Sequence, residues 1–92
     1  MGVPTRPSQN DPERVAAWVR YRSAVGGKIR SLRVERGLTQ EALALRSGVT
    51  RNVLINVELG HRGLLFERLF DIAAALDVHP SELLRADRAN EP

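Results

Sequence analysis

Apolar positions along the chain recur at spacings of three and four, and no stretch alternates with the period of two expected of a half-buried strand. Val15, Trp18, Val19 and Arg22 fall on one helical face, and Asn10 or Asp11 can cap that helix ahead of Pro12, with Glu13 completing a capping box if Asn10 is the cap. Gly26-Gly27 then interrupts. Two glycines cost a helix interior about 2 kcal/mol relative to alanine, so a break or kink is expected between Ser23 and Gly27, the alternative being one long bent helix. Val25, Ile29, Leu32 and Arg33 form the inner face of the next segment, with Lys28, Arg30 and Arg36 outward, and Gly37 ends it. Thr39 caps a helix whose inner residues are Leu43 and Ala44. Gly48 closes that helix, Thr50 caps another carrying Leu54 and Val57, and Gly60 stops it. Phe66, Leu69, Phe70, Ile72, Ala73 and Leu76 predict an amphipathic helix with a wide apolar face. Pro80 opens a last short helix with Leu83 and Leu84. The fold class is therefore all-α, with five or six short helices.

Composition narrows this further. Ninety-two residues allow one domain with a core of about ten side chains. Trp18, Tyr21, Phe66 and Phe70 are the only aromatics, so the core is aliphatic. With no cysteine there is neither a disulfide frame nor a thiolate metal site. His61 and His79 lie in different loops without helical pairing, so no metal or other cofactor is expected. No apolar run approaches the roughly 20 residues of a membrane span, and the polar, proline-bearing start lacks a signal-peptide core. A cytoplasmic protein is expected. Neither a nucleophile elbow nor a glycine-rich phosphate loop is present, and so short a chain has little room for a substrate pocket. An enzyme is not expected.

Charge is distributed unevenly. The net charge is +3, but Arg6 to Arg62 carries eleven basic residues against five acidic ones, whereas Gly63 to Pro92 carries three against six. That layout suits a chain meeting a polyanion with one side; a high arginine content alone is the plainer explanation.

The informative stretch is QEALALRSGVTRNVLINV, Gln40 to Val57. Two short helices meet across a turn at Gly48, Ala44 is small where they approach, and Leu43, Val49, Leu54 and Val57 close the angle between them. The cap at Thr50 starts the second helix at once with its N-terminus projecting. This is the spacing of a helix-turn-helix unit. Together with IRSLRVERGLTQEALALRSGV before it and TRNVLINVELGHR and LFDIAAALDVHPSELL after it, the run from Ile29 to Leu84 resembles the phage-repressor/Cro-type (XRE) helix-turn-helix family.

That resemblance implies a five-helix DNA-binding domain acting as a transcriptional regulator on double-stranded DNA, with a recognition helix over about 50–59. Thr50, Arg51, Asn52 and Asn56 stand at its base-reading positions; Arg pairs with guanine O6 and N7, and Asn with adenine N6 and N7. Gln40 and Arg62 match phosphate-contacting positions. Arg33 and Glu58 match a buried structural ion pair. Val53 and Ile55 either meet thymine methyls or pack against a neighbouring helix or subunit. One recognition helix reads few base pairs, so a homodimer on an inverted repeat is implied, with Leu64, Leu65, Phe66, Leu83, Leu84 and Trp18 as candidate contacts. Restriction–modification controllers, phage-type repressors and antitoxins of the family are all built at this size.

Three departures stand out. Leu64-Leu65 replaces the usual Pro-Ser start of the fourth family helix, which loses its cap; His79 replaces a capping Ser or Thr, so the last helix should fray; and an extra N-terminal helix is present. The expected organisation is a flexible arm over 1–10, the extra helix over 11–24, the DNA-binding domain over 25–86 and a polar tail over 87–92. The extra helix has three uses open to it: packing Trp18 on the domain, forming a dimer interface through Val15, Trp18 and Tyr21, or offering Arg14, Arg20 and Arg22 to phosphates, with Arg6 of the preceding arm reaching a groove. The competing function is a protein-interaction module of the same fold, docking through Val53, Ile55, Leu59, Leu64 and Leu65.

Overall fold

The computed structural model describes residues 11–85, so the arm over 1–10 and the tail over 87–92 lie outside the described residues. Five helices follow in order: α1 (Pro12–Glu35), α2 (Gln40–Ser47), α3 (Arg51–Glu58), α4 (Phe66–Ala75) and α5 (Pro80–Leu84). No strand occurs among the described residues, and no helix among them is long and apolar enough to cross a membrane.

The expected break at Gly26-Gly27 is absent: α1 runs unbroken through both glycines. The reason lies in packing. Gly26 is buried where α1 crosses the end of α3, and a Cβ there would be driven into the Val57 carbonyl oxygen and stand 3.2 Å from the Glu58 carbonyl carbon. The missing side chain lets two backbones approach, and burial of Ile29 and Leu32 beside the crossing offsets the glycine cost in the helix. Asp11 caps α1, its carboxylate accepting the Glu13 N–H at 2.9 Å.

The core is aliphatic, as the composition requires. Ile29 and Leu32 of α1, Leu43 and Ala44 of α2, Val49 of the turn, Leu54 and Val57 of α3, Leu69, Ile72, Ala73 and Leu76 of α4, and Leu83 of α5 are buried together. Leu83, expected among the dimer contacts, is 1 % exposed and serves the core instead. A five-residue helix has one fully inward position, and Leu83 takes it while Leu84 turns outward. Leu64 likewise packs partly against the core, whereas Leu65 is exposed.

The apolar face of α4 is narrower than its sequence pattern. Phe66 and Phe70 stand at the edge of the buried arc and remain exposed, stacked edge to face with ring centroids 6.4 Å apart. No side chain caps α4, as the loss of the Pro-Ser start implied. At α5 the expected loss of a cap is corrected: the His79 imidazole Nδ1 accepts the Ser81 N–H at 3.1 Å, so His79 is itself the cap.

The adjacent glycines of α1 give a test of opposite signs. Gly26→Ala should lower stability by about 1–3 kcal/mol through overpacking, whereas Gly27→Ala, which meets nothing within 4 Å, should raise it by about 0.5–1 kcal/mol. Urea unfolding of the two variants beside the parent checks both.

Candidate nucleic-acid interface

The turn between α2 and α3 depends on Gly48. Its φ of 79° lies in the left-handed region, where its N–H donates to the Ala44 carbonyl at 2.9 Å and ends α2. Val49 is buried beneath the turn. Thr50 is extended, and its Oγ1 accepts the Val53 N–H at 3.1 Å, so α3 begins directly after it.

Leu54, Val57 and Glu58 form the buried side of α3, while Arg51 and Asn52 are exposed at its leading end. Asn56 follows Asn52 by one turn, and its Nδ2 donates to the Asn52 carbonyl at 2.9 Å, which draws its amide toward the front of the helix. Of the two apolar residues left open, Val53 packs against the core, and Ile55 is half-buried one turn after Arg51.

The expected Arg33–Glu58 pair is present. Arg33 Nε donates to Glu58 Oε2 at 2.7 Å and Nη2 to Oε1 at 3.0 Å, a two-point contact between the end of α1 and the end of α3. The side chains are 12 % and 2 % exposed, respectively. Arg33 Nη1 also donates to the Leu38 carbonyl at 2.8 Å, which holds the loop leading to α2. Gln40, expected at phosphate, joins the same network: its Nε2 donates to Glu58 Oε1 at 3.0 Å. One amide hydrogen of Gln40 is thus committed internally and the other is left for an outside acceptor. Among the described residues no buried side-chain nitrogen or oxygen lacks a partner.

Arg62 is exposed and borders a recess formed by Gly48, Thr50 and Val53 on one side and Leu65 and Arg68 on the other. Arg68 is the residue the sequence reading did not single out. It pairs with Asp71 at 3.3 Å along α4 while lining this recess opposite the turn. Nothing in the periodicity of α4 separates it from an ordinary solvated arginine. Trp18 is brought to none of this: it lies on α1 far from the turn, with the Arg14 guanidinium 6.0 Å from its ring centroid. No group of three metal-ligating side chains occurs among the described residues.

The fold and the exposed face of α3 define a helix-turn-helix protein. The HTH_3 helix-turn-helix family model matches residues 29–83, more than half of the chain, and the chain belongs to that family. It is 40 % identical over 63 residues to the uncharacterized HTH-type transcriptional regulator y4dJ of Sinorhizobium fredii, covering 68 % of this chain and 82 % of that protein. Among solved structures it is similar to the restriction-modification controller protein C.AhdI of Aeromonas hydrophila, with 39 % identity and a TM-score of 0.66 over 67 % of this chain and 94 % of that one. The hypothetical transcription factor NHTF from Neisseria is 26 % identical with a TM-score of 0.71, covering 96 % of this chain and 92 % of that one. DNA-binding transcription regulation is the function of this class.

The buried network sets a stability test. Glu58→Ala leaves the Arg33 charge without its partner and should cost about 3–5 kcal/mol, whereas Gln40→Ala, which removes one neutral donor to a carboxylate, should cost about 1–3 kcal/mol. Chemical denaturation resolves the two.

Proposed function

We propose that this chain is a sequence-specific regulator that binds double-stranded DNA as a homodimer, α3 of each subunit entering the major groove of one half of an inverted repeat. The observation that carries the reading is the projecting front of α3. Arg51 and Asn52 are exposed there beside a capped N-terminus, and the helix behind them is held by the buried Arg33–Glu58 pair. Residues at the beginning of such a helix lie deepest in the groove. Arg51 suits guanine and Asn52 and Asn56 suit adenine. Thr50 is occupied as a cap, which leaves its hydroxyl hydrogen to reach a phosphate or a base acceptor.

Phosphate contacts fall to Arg62, to Arg68 across the recess, and to the second amide hydrogen of Gln40 at the start of α2. Such contacts set the docking register without reading sequence. A DNA target places the protein's action in the cytoplasm, at the nucleoid, with no cofactor and no catalytic step required. The competing interaction module loses ground, because Val53 and Leu64 of its docking patch are engaged with the core.

Selection of bound duplexes from a random library should recover an inverted repeat with half-sites about one helical turn apart; sequence-blind recovery would overturn the reading. Arg51→Ala should weaken specific binding by about 1–3 kcal/mol and relax preference at one or two positions. Arg62→Ala should weaken binding to all sequences alike and reduce the slope of log K against log salt by about one, measured by titration at several salt concentrations.

A further inference from the structure

The apolar face of α1 continues beyond the domain it supports. Going back along the helix from Ile29 and Val25, the same face carries Trp18 and Val15, flanked by Val19 and Tyr21. All four side chains are exposed, Trp18 by 39 % and Tyr21 by 63 %. Because α1 is unbroken, Trp18 stands eleven residues from Ile29, a rise of about 16 Å. Its ring therefore cannot reach the core of its own chain. Solvated apolar residues on the outward side of a helix are ordinary, but Val15 and Trp18 lie on the inward side, where α1 has outrun the domain.

A second apolar surface adjoins it. Tyr21 and Val25 of α1, Phe66 and Leu69 of α4, and Leu84 of α5 line a groove of about 320 Å³. Phe66, Phe70 and Leu84 stand exposed at or beside it, by 69 %, 55 % and 62 %. Taking about 200 Å² for an aromatic side chain, these three offer roughly 350 Å², less than half of the ~800 Å² per partner of a stable interface. Val15, Trp18, Val19 and Tyr21 roughly double that area. Neither surface suffices alone; the two together approach the requirement.

Charge identifies the occupant. Residues 11–24 carry Arg14, Arg20 and Arg22 against Asp11 and Glu13, whereas 66–85 carry Glu67, Asp71, Asp77 and Glu82 against Arg68 and Arg85, with Asp71 and Glu82 paired within the subunit and Glu67 and Asp77 without an ion pair among the described residues. A basic arm beside an acidic patch is self-complementary between two copies related by a twofold axis. The arm also runs past the C-terminal end of α3, where Ser23 abuts Gly60, so it lies at the opposite end of α3 from Arg51 and Asn52 and leaves the reading face open.

We infer that the N-terminal half of α1 is an exchanged dimerisation arm, its Val15–Trp18–Val19 face covering the Phe66–Phe70–Leu84 patch of a second copy of this chain. The inference rests on the homodimer reading above and assigns that dimer its surface.

The chain supplies its own reporter, since Trp18 is its only tryptophan and it has no cysteine. In the full chain, dilution should shift tryptophan emission to longer wavelength with the midpoint of dimer dissociation measured by sedimentation. Val19→Asp and Phe66→Glu should each weaken the dimer at least tenfold while the helical circular dichroism of the monomer is kept. A Val19→Cys chain mixed with a Phe70→Cys chain should form the mixed disulfide. A dimer that Phe66→Glu weakens and Val19→Asp does not would overturn the arm and leave the dimer standing. So would Val19→Cys chains that link only to one another. A chain that stays monomeric at every concentration yet still selects a DNA sequence would overturn the arm and the dimer while sparing the DNA-reading face.

Discussion

The structure depends most on the two-point ion pair between Arg33 and Glu58. It lies where α1, the loop before α2, the start of α2 and the end of α3 converge, and each of those elements gives it a hydrogen-bonding group. A charge that is 2 % exposed is tolerable only with its partners in place. The pair therefore acts less as a source of net stability than as a positional constraint. Arrangements of α3 that part Glu58 from Arg33 and Gln40 leave a buried carboxylate unanswered. Apolar contacts along α3 would tolerate a small rotation of the helix; the ion pair does not. For a helix proposed to present two or three side chains to base edges, that difference matters.

The Gly26 crossing works with it. Close approach of α1 to the Val57–Glu58 backbone brings Arg33, two turns further along, within bonding distance of Glu58. A larger residue at position 26 would lift α1 away and lengthen the ion pair it serves. The same crossing keeps α1 a continuous helix shared by two ends of the molecule. One end holds the reading unit through Ile29, Leu32 and Arg33, and the other extends past the domain with an apolar face still uncovered. If the chain pairs through that face as proposed, one helix carries both the reading unit and the dimer contact, so the way two copies of α1 meet would fix the spacing of the two α3 helices.

Several local features were legible because they are decided by local chemistry. Thr39 and Thr50 cap their helices, Gly48 takes the left-handed turn, and α4 lacks a capping side chain, each as expected from the residues at those positions. The helix-turn-helix unit and the Arg33–Glu58 pair were legible through resemblance, since a pair separated by 25 positions has no periodic signature. The failures share one cause. Gly26-Gly27 reads as a break when only helix propensity is counted, because the packing partner that needs a glycine is distant in sequence. Phe66 and Phe70 read as part of one continuous apolar face with Leu69 and Ile72, and Leu83 and Leu84 read alike, because hydrophobicity does not say which edge of an apolar arc the neighbouring helix covers. His79 reads as a poor cap when only hydroxyls and carboxylates are considered, yet an imidazole nitrogen accepts the same hydrogen bond.

By itself, then, the sequence determined the helical class and the helix ends set by Thr39, Gly48, Thr50 and Gly60, because these follow from short-range periodicity and backbone conformation, and resemblance added the helix-turn-helix unit. Only the tertiary structure decided that α1 is one rod and that Gln40 turns one of its amide hydrogens inward. It also decided that Arg68 shares one recess with Arg62 and the turn, and that Leu83 is covered while Leu84 is not. Each of those outcomes depends on which surface another helix occupies, and that is a property of the packed chain rather than of any segment of it.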